Sequence, residues 1–173
     1  MTTIRRCGTD EQAAILAIIN QAAARYRGVI PADCWHEPYM RAQPLARDIE
    51  AGVNFWGCED GGQLVGVMGV EQVKDVTLIR HAYVRPGHQG HGVGGALLRH
   101  LETLTNRRIL IGTWADATWA IRFYERHGYT LIAREDTPAL LRSYWHIPPR
   151  QVETSVVLTK AAPTSRHSSI IED

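Results

Sequence analysis

Val84-Arg85-Pro86-Gly87-His88-Gln89-Gly90-His91-Gly92-Val93-Gly94-Gly95-Ala96-Leu97-Leu98 joins an apolar, β-branched run to an apolar helical pattern. The run before it, Asp75 to Val84, stops at Pro86. Four glycines (Gly90, Gly92, Gly94, Gly95) then fall within six residues. Glycines spaced this closely leave backbone N–H groups uncovered by side chains. At a helix N-terminus those groups have no intrahelical partner and sit at the positive end of the helix dipole. The segment therefore predicts a pocket for a phosphate-bearing ligand.

The glycines can be spelled two ways. Gly90-x-Gly92-x-x-Gly95 fits the dinucleotide fingerprint, with Asp116 about 20 residues on, where a ribose-binding acid is expected. Three observations oppose it. Arg85 to Gln89 separate the strand from the first glycine of the fingerprint, the unit lies mid-chain, and too little chain follows to complete a doubly wound domain. A Walker-type loop is excluded because no Gly-Lys-Ser/Thr is present.

The second spelling is Gln89-x-x-Gly92-x-Gly94, after a strand ending Tyr83-Val84 and a proline. It resembles the acetyl-CoA signature of the GNAT family of N-acetyltransferases: Arg or Gln, two residues, Gly, one residue, then Gly or Ala. The resemblance implies that backbone amides over Gln89, Gly90, His91, Gly92, Val93, Gly94 and Gly95 hold the CoA pyrophosphate. It also implies that the strand splays from its neighbour at Ala82, Tyr83 and Val84, so that pantetheine pairs with it. A second stretch, Trp119-Ala120-Ile121-Arg122-Phe123-Tyr124-Glu125-Arg126-His127-Gly128-Tyr129, resembles the family's late helix, which commonly ends Tyr-x-x-x-Gly-Phe/Tyr. Gly128 reads as the left-handed residue after that helix. The resemblance places Ala120 and Phe123 against the cofactor and Tyr124 near the sulfur, as the acid that protonates the leaving thiolate. Where the family often has Asn, seven residues before the tyrosine, this chain has Ala117, with Asp116 beside it.

Composition bounds the rest. A chain of 173 residues with 45% hydrophobic content suits one domain, expected over residues 1–160, with a small, polar, disordered tail over 161–173. A net charge of +1 gives no electrostatic argument for nucleic acid or a membrane surface. No apolar run approaches a membrane span, and Met1-Thr2-Thr3-Ile4-Arg5-Arg6 lacks a secretory h-region. Cys7, Cys34 and Cys58 are odd in number, with no C-x-x-C, and read as reduced thiols of a cytoplasmic protein. The eight histidines show no metal-ligand spacing, so no metal is expected.

The order of elements follows from periodicity. Thr3 to Cys7 reads as a strand, Thr9 to Gln12 as a capping box, and Glu11 to Arg25 as a helix. A short helix is expected over Pro44 to Ala51. Asn54 to Glu59, Gln63 to Val73 and Val76 to Val84 form a meander, turned at Asp60-Gly61-Gly62 and Lys74-Asp75. A helix from Gly92 to Asn106 follows, with Leu104 among its inward residues. Arg108 to Trp114 is a buried strand and Ala117 to His127 a helix. Thr130 to Arg134 and Gln151 to Lys160 complete the strands, around a proline-bearing excursion. The expected class is α/β in the mixed α+β sense. It is a GNAT-type, mostly antiparallel sheet of about seven strands flanked by about four helices, splayed between its two central parallel strands.

Moving an acetyl group to an amine needs a neutral amine, a stabilised oxyanion and a leaving thiolate. In the family the oxyanion is met by a backbone N–H of the strand before the glycines, here within Ala82 to Val84. The family often carries Glu as base on that strand, but Val76 to Val84 holds no carboxylate. Two base candidates remain. His81 is the titratable group nearest the reaction centre, and its alternative is a strand histidine bonded beneath a neighbour. Glu71 would act through water, and its alternative is a solvated strand-end carboxylate. Tyr124 could equally be an amphipathic core tyrosine. His88, His91 and Arg85 flank the loop, either touching phosphates or exposed. The acceptor pocket is assigned to Tyr26, Trp35, Glu37 and Tyr39, and to Trp145 in the late excursion. Aromatics beside Asp33 and Glu37 suit a cationic amine, and the alternative is that Trp35 and Trp145 only cover the core or a dimer interface.

The expected function is acetyl-CoA-dependent N-acetyl transfer to a primary amine of a small molecule, by direct attack in a ternary complex. The alternatives are a non-catalytic or regulatory acyl-CoA-binding module of the same fold and, third, a dinucleotide-binding protein. The expected partner is a small-molecule amine, with no nucleic acid and no membrane. The resemblance leaves a homodimer open.

Overall fold

A computed structural model describes residues 1–162 of the chain. The expected tail thus lies outside the described residues apart from Ala161 and Ala162. Seven strands form one sheet in the order β1-β2-β3-β4-β5-β7-β6. They are β1 (Thr2–Arg6), β2 (Asn54–Asp60), β3 (Gln63–Val73), β4 (Val76–Val84), β5 (Arg108–Trp114), β6 (Thr130–Leu131) and β7 (Ser155–Lys160). Only β4 and β5 pair in parallel; the other pairings are antiparallel. The meander, the central parallel pair and the mixed class agree with the sequence reading.

Among the described residues, six α-helices flank the sheet: α1 (Gln12–Ala23), α2 (Ala42–Glu50), α3 (Val93–Glu102), α4 (Thr118–Arg126), α5 (Thr137–Tyr144) and α6 (Pro149–Glu153). About four were expected, and the two extra ones lie in the proline-bearing excursion. Both begin at a proline within the first turn, where the missing N–H costs nothing. Helix α6 also displaces the start of the last strand from Gln151 to Ser155, and β6 is two residues long rather than five. Helix α3 ends at Glu102, before Leu104, which is exposed instead of inward.

One face of the sheet buries Leu97, Leu98 and Leu101 of α3 with Ala120 and Tyr124 of α4 against Val70, Ile79, Ile109 and Ile111. On the other face, Ile15, Ile18 and Ile19 of α1 meet Leu45 of α2 over Phe55 and Val67. Leu141 and Val152 of the excursion cover Val76, Leu78, Leu110 and Val157. These strands are apolar because both of their faces are covered. Among the described residues, no helix is long and apolar enough to cross a membrane.

Candidate active site

The site is built where β4 and β5 part. Their parallel pairing runs from Val76↔Arg108 to Ile79↔Ile111 and stops there. Beyond it, β5 stays bound to β7 through Gly112, Thr113 and Trp114, while β4 continues along β3 only. The β3 partner of Arg80 is Gly69 and that of Tyr83 is Val67, so three steps on β4 face two on β3. The extra residue is a β-bulge, and His81 within it has φ of +54°. For a side-chain-bearing residue that conformation costs about 1–2 kcal/mol, so something must hold it. His81 Nε2 lies 2.8 Å from Asp48 Oδ2 of α2, and its ring stacks on Phe55.

The loop after β4 forms a cradle. Gly92, with φ of +81°, is the residue before the first turn of α3, and Ala96 N–H bonds its carbonyl. Ordinary residues resist that left-handed conformation. Gly94 is needed for closeness: a Cβ there would lie 3.2 Å from Phe123 Cζ, so α4 comes directly against α3. The resulting cavity of about 670 Å³ is walled by Ala82, Tyr83 and Val84, by the cradle, and by the face of α4 bearing Ala120, Phe123 and Tyr124. Gln89, Gly90, Gly92, Val93, Gly94 and Gly95 all line it. His91 does not; it is exposed on the loop. His88 reaches the cavity, whereas Arg85 is held elsewhere, by the Leu64 carbonyl and Gln21 Oε1.

The rim of this cavity is cationic, through Arg25, Arg99, Arg122 and Arg126, none of which was expected there from the sequence. Arg122 and Arg126 stand one turn apart on α4, and that spacing was the available signal. Arg25 instead depends on a tertiary contact, lying 4.4 Å over the Trp119 ring.

Across the splay is a second cavity, of about 130 Å³. Tyr26, Tyr39 and Trp145 line it, as do His81 and Arg80. Tyr26 and Tyr83 line both cavities and so mark where they meet. Glu71, Trp35, Glu37 and Asp33, all expected at the site, lie off these walls. Glu71 lines neither cavity, and its carboxylate accepts from Arg80 Nη1 at 3.1 Å. Trp35 stacks behind Tyr39, and its indole N–H donates to Glu37 Oε1, which also accepts from Arg27. Asp33 is bound by Arg150. Asp116 is exposed beside the buried Ala117, so the missing Asn has no carboxylate in its place.

The electrostatics separate the roles these groups can play. Burial, with Tyr39 next in effect, pushes the Tyr26 phenol up to about 12. Burial first, then Tyr39 and Tyr26, holds Tyr83 well above the ordinary tyrosine value. Burial and then Tyr26 do the same to Tyr124. All three are therefore O–H donors at any ordinary pH and not bases. The carboxyl of Asp48 is pushed up by burial, but the His81 bond and the Arg80 charge outweigh this and hold it below its usual value. Among the described residues, no group of three His, Cys, Asp or Glu side chains stands ready for a metal ion.

Residues 51–131, which span the meander, the cradle and α4, match the family described as the acetyltransferase (GNAT) domain. No curated protein matches the chain in sequence. Solved structures share its fold. The ribosomal-protein-S18-alanine N-acetyltransferase of Escherichia coli superposes with a TM-score of 0.70 at 18% identity, covering 97% of this chain and 98% of that one. The PaiA N-acetyltransferase of Thermoplasma acidophilum, solved with coenzyme A, gives 0.70 at 13% identity, over 93% and 99%. YncA of Salmonella typhimurium, solved with acetyl-CoA, gives 0.65 at 19% identity, over 95% and 96%.

Proposed function

We propose, for a chain that carries a GNAT acetyltransferase domain over residues 51–131, that it is an acetyl-CoA-dependent N-acetyltransferase acting on a primary amine of a small molecule. The observation that carries this reading is the meeting of two cavities at Tyr26 and Tyr83, with Tyr124 on the larger side and His81 on the smaller. A transferase that joins donor and acceptor directly needs both in place at once, and a shared wall between two chambers supplies that.

The larger cavity fits acetyl-CoA. A phosphate cradle at one end, a cationic rim and an unpaired strand edge match the pyrophosphate, the remaining phosphate and the amide-bearing arm of that molecule. Relatives of the same fold solved with coenzyme A and acetyl-CoA support the same donor. The bound thioester supplies an activated acetyl group. The protein's own groups do the rest. The β4 backbone over Ala82 to Val84 offers N–H groups to the carbonyl oxygen. Tyr124 holds a proton at its buried hydroxyl for the sulfur. His81 takes the proton released by the amine. Its Nδ1 has no hydrogen-bond partner among the described residues, since Asp48 occupies Nε2. As the nitrogen–carbon bond forms, the carbon–sulfur bond breaks, and one proton passes to His81 while another leaves Tyr124. Glu71 is assigned a structural part, holding Arg80.

The experiment is an amine panel assayed with acetyl-CoA by thiol release and product mass. Amine-dependent thiol release, with intersecting lines in two-substrate kinetics, is the expected result. Tight binding of acetyl-CoA, with thiol appearing only as fast as hydrolysis, would instead favour a non-catalytic acyl-CoA-binding module.

A further inference from the structure

We infer that the amine taken by this site has a compact, uncharged body, of the size of one aromatic ring or a short branched chain; the inference rests on the acetyl-transfer reading above. Beyond Tyr26 and Tyr83, where the reacting nitrogen belongs, the walls of the smaller cavity are Ile79, Gly112, Trp114, Leu141, Trp145 and Ile147. Its polar groups are Arg80, His81, Tyr39, Thr113, Gln151 and Ser155, and no Asp or Glu is among its lining residues.

That lining excludes the two charged kinds of acceptor. A di- or polyamine carries a second ammonium, which would enter beside Arg80 with no carboxylate to meet it. Two like charges side by side repel, and no carboxylate on the wall offsets that repulsion. The two acids that sequence reading offered for a cation are engaged elsewhere, Asp33 by Arg150 and Glu37 by Arg27 and Trp35. An amino acid carries a carboxylate, for which Arg80 is the only guanidinium on the wall. Arg80 is already matched by Glu71 at 3.1 Å and by Asp48 at 3.7 Å. A ligand carboxylate there would face two others.

Size narrows the body further. A cavity of about 130 Å³ has room for one ring-sized body, since about 150 Å³ holds a benzene molecule, and here polar and apolar side chains share the lining. Its floor is Gly112 of β5, and the Trp145 indole lies against that glycine: a Cβ there would come within 3.3 Å of Trp145 Cζ2. Gly112 and Trp145 therefore set how large a body the cavity admits.

The test uses the full chain with acetyl-CoA and four probes: phenethylamine, spermidine, phenylalanine and an alanine-initiated peptide. Thiol release gives kcat/KM for each, and quenching of tryptophan fluorescence, with Trp114 and Trp145 in the wall, gives binding without turnover. The expected result is at least a tenfold preference for phenethylamine over each of the others. Gly112→Val is expected to remove at least tenfold of phenethylamine affinity while leaving the acetyl-CoA titration unchanged. Trp145→Ala, which adds space instead of filling it, is expected to shift preference toward two-ring amines. A preference for spermidine, phenylalanine or the peptide would overturn the inference and leave acetyl transfer standing. Absence of saturable quenching by phenethylamine would also overturn it. If no amine is acetylated while phenethylamine still binds selectively, the transfer reading fails and the character of the cavity stands.

Discussion

The imidazole of His81, on the bulge of β4, and the carboxylate of Asp48, on α2, are joined by a 2.8 Å hydrogen bond, although 33 residues separate them in sequence. The two side chains are 13% and 25% exposed. A hydrogen bond to a charged group contributes about 1.5–3 kcal/mol, enough to offset the cost of the left-handed backbone at His81. The bond also fixes which ring nitrogen is left free. Asp48→Ala is therefore expected to cost roughly 1–3 kcal/mol of stability and to lower kcat. The KM for acetyl-CoA should hold, because Asp48 lines neither cavity. Denaturant titration and two-substrate kinetics on the same sample check this; a raised KM for acetyl-CoA with kcat intact would contradict it.

Tyr124→Phe removes the hydroxyl and keeps the ring that packs against Phe123 and Tyr129. A thiol is already acidic enough to leave near neutral pH. The loss in kcat is therefore expected to be about 10- to 100-fold, at the low end of general-acid effects. Thermal stability should barely move. An unchanged kcat would remove Tyr124 from the chemistry.

Gly92→Ala should weaken the cradle before it weakens the fold. The methyl group meets open space, but φ of +81° resists it, at a cost of about 1–2 kcal/mol. Relief of that strain would turn the first amides of α3 away from the ligand. The expected readout is a smaller thermal shift at a fixed acetyl-CoA concentration. In the wild type, ligand at 100 times its dissociation constant adds about 2.7 kcal/mol. Equal shifts for both proteins would contradict the cradle.

The larger cavity was legible in the sequence because its signals are local. The glycines from Gly90 to Gly95, the break at Pro86 and the Tyr124–Gly128 helix end lie within short windows. The strands of the meander, with their alternating and β-branched residues, are placed within a residue or so. The smaller cavity was not legible, because its lining residues meet only in the folded chain. Trp145 and Tyr39 share a wall across more than a hundred residues, while Trp35 and Glu37, neighbours of Tyr39 in sequence, lie off it. Asp48 gave no signal at all, being an ordinary polar residue in an amphipathic helix until the bulge brings His81 to it. The missed helices α5 and α6 are short and open on prolines, so their periodicity had too little length to show.

The start of the fold has its own pH signature. Glu11, not Gln12, closes the cap, accepting from Gly8 N–H at 2.8 Å and from Arg5 on β1. The Arg5 bond first, and the Gly8 bond next, lower its carboxyl to about 2. A depressed carboxyl stabilises the fold above its unfolded value of about 4.3, and that contribution fades as pH falls toward 2. Glu11→Gln is expected to remove on the order of 1 kcal/mol at neutral pH, after screening at a partly exposed site. The gap to wild type should close on acidification. Thermal melts from pH 7 to pH 2.5 measure it, and a gap that widens in acid would refute the assignment.

The central claim is that acetyl passes from acetyl-CoA to an amine across the junction at Tyr26 and Tyr83. Mass spectrometry of a reaction containing labelled acetyl-CoA, phenethylamine and the full chain tests it directly. The label is expected in N-acetylated phenethylamine in step with thiol release, both reduced together by Tyr124→Phe. Label found only as free acetate, with thiol release indifferent to amine concentration, would contradict it.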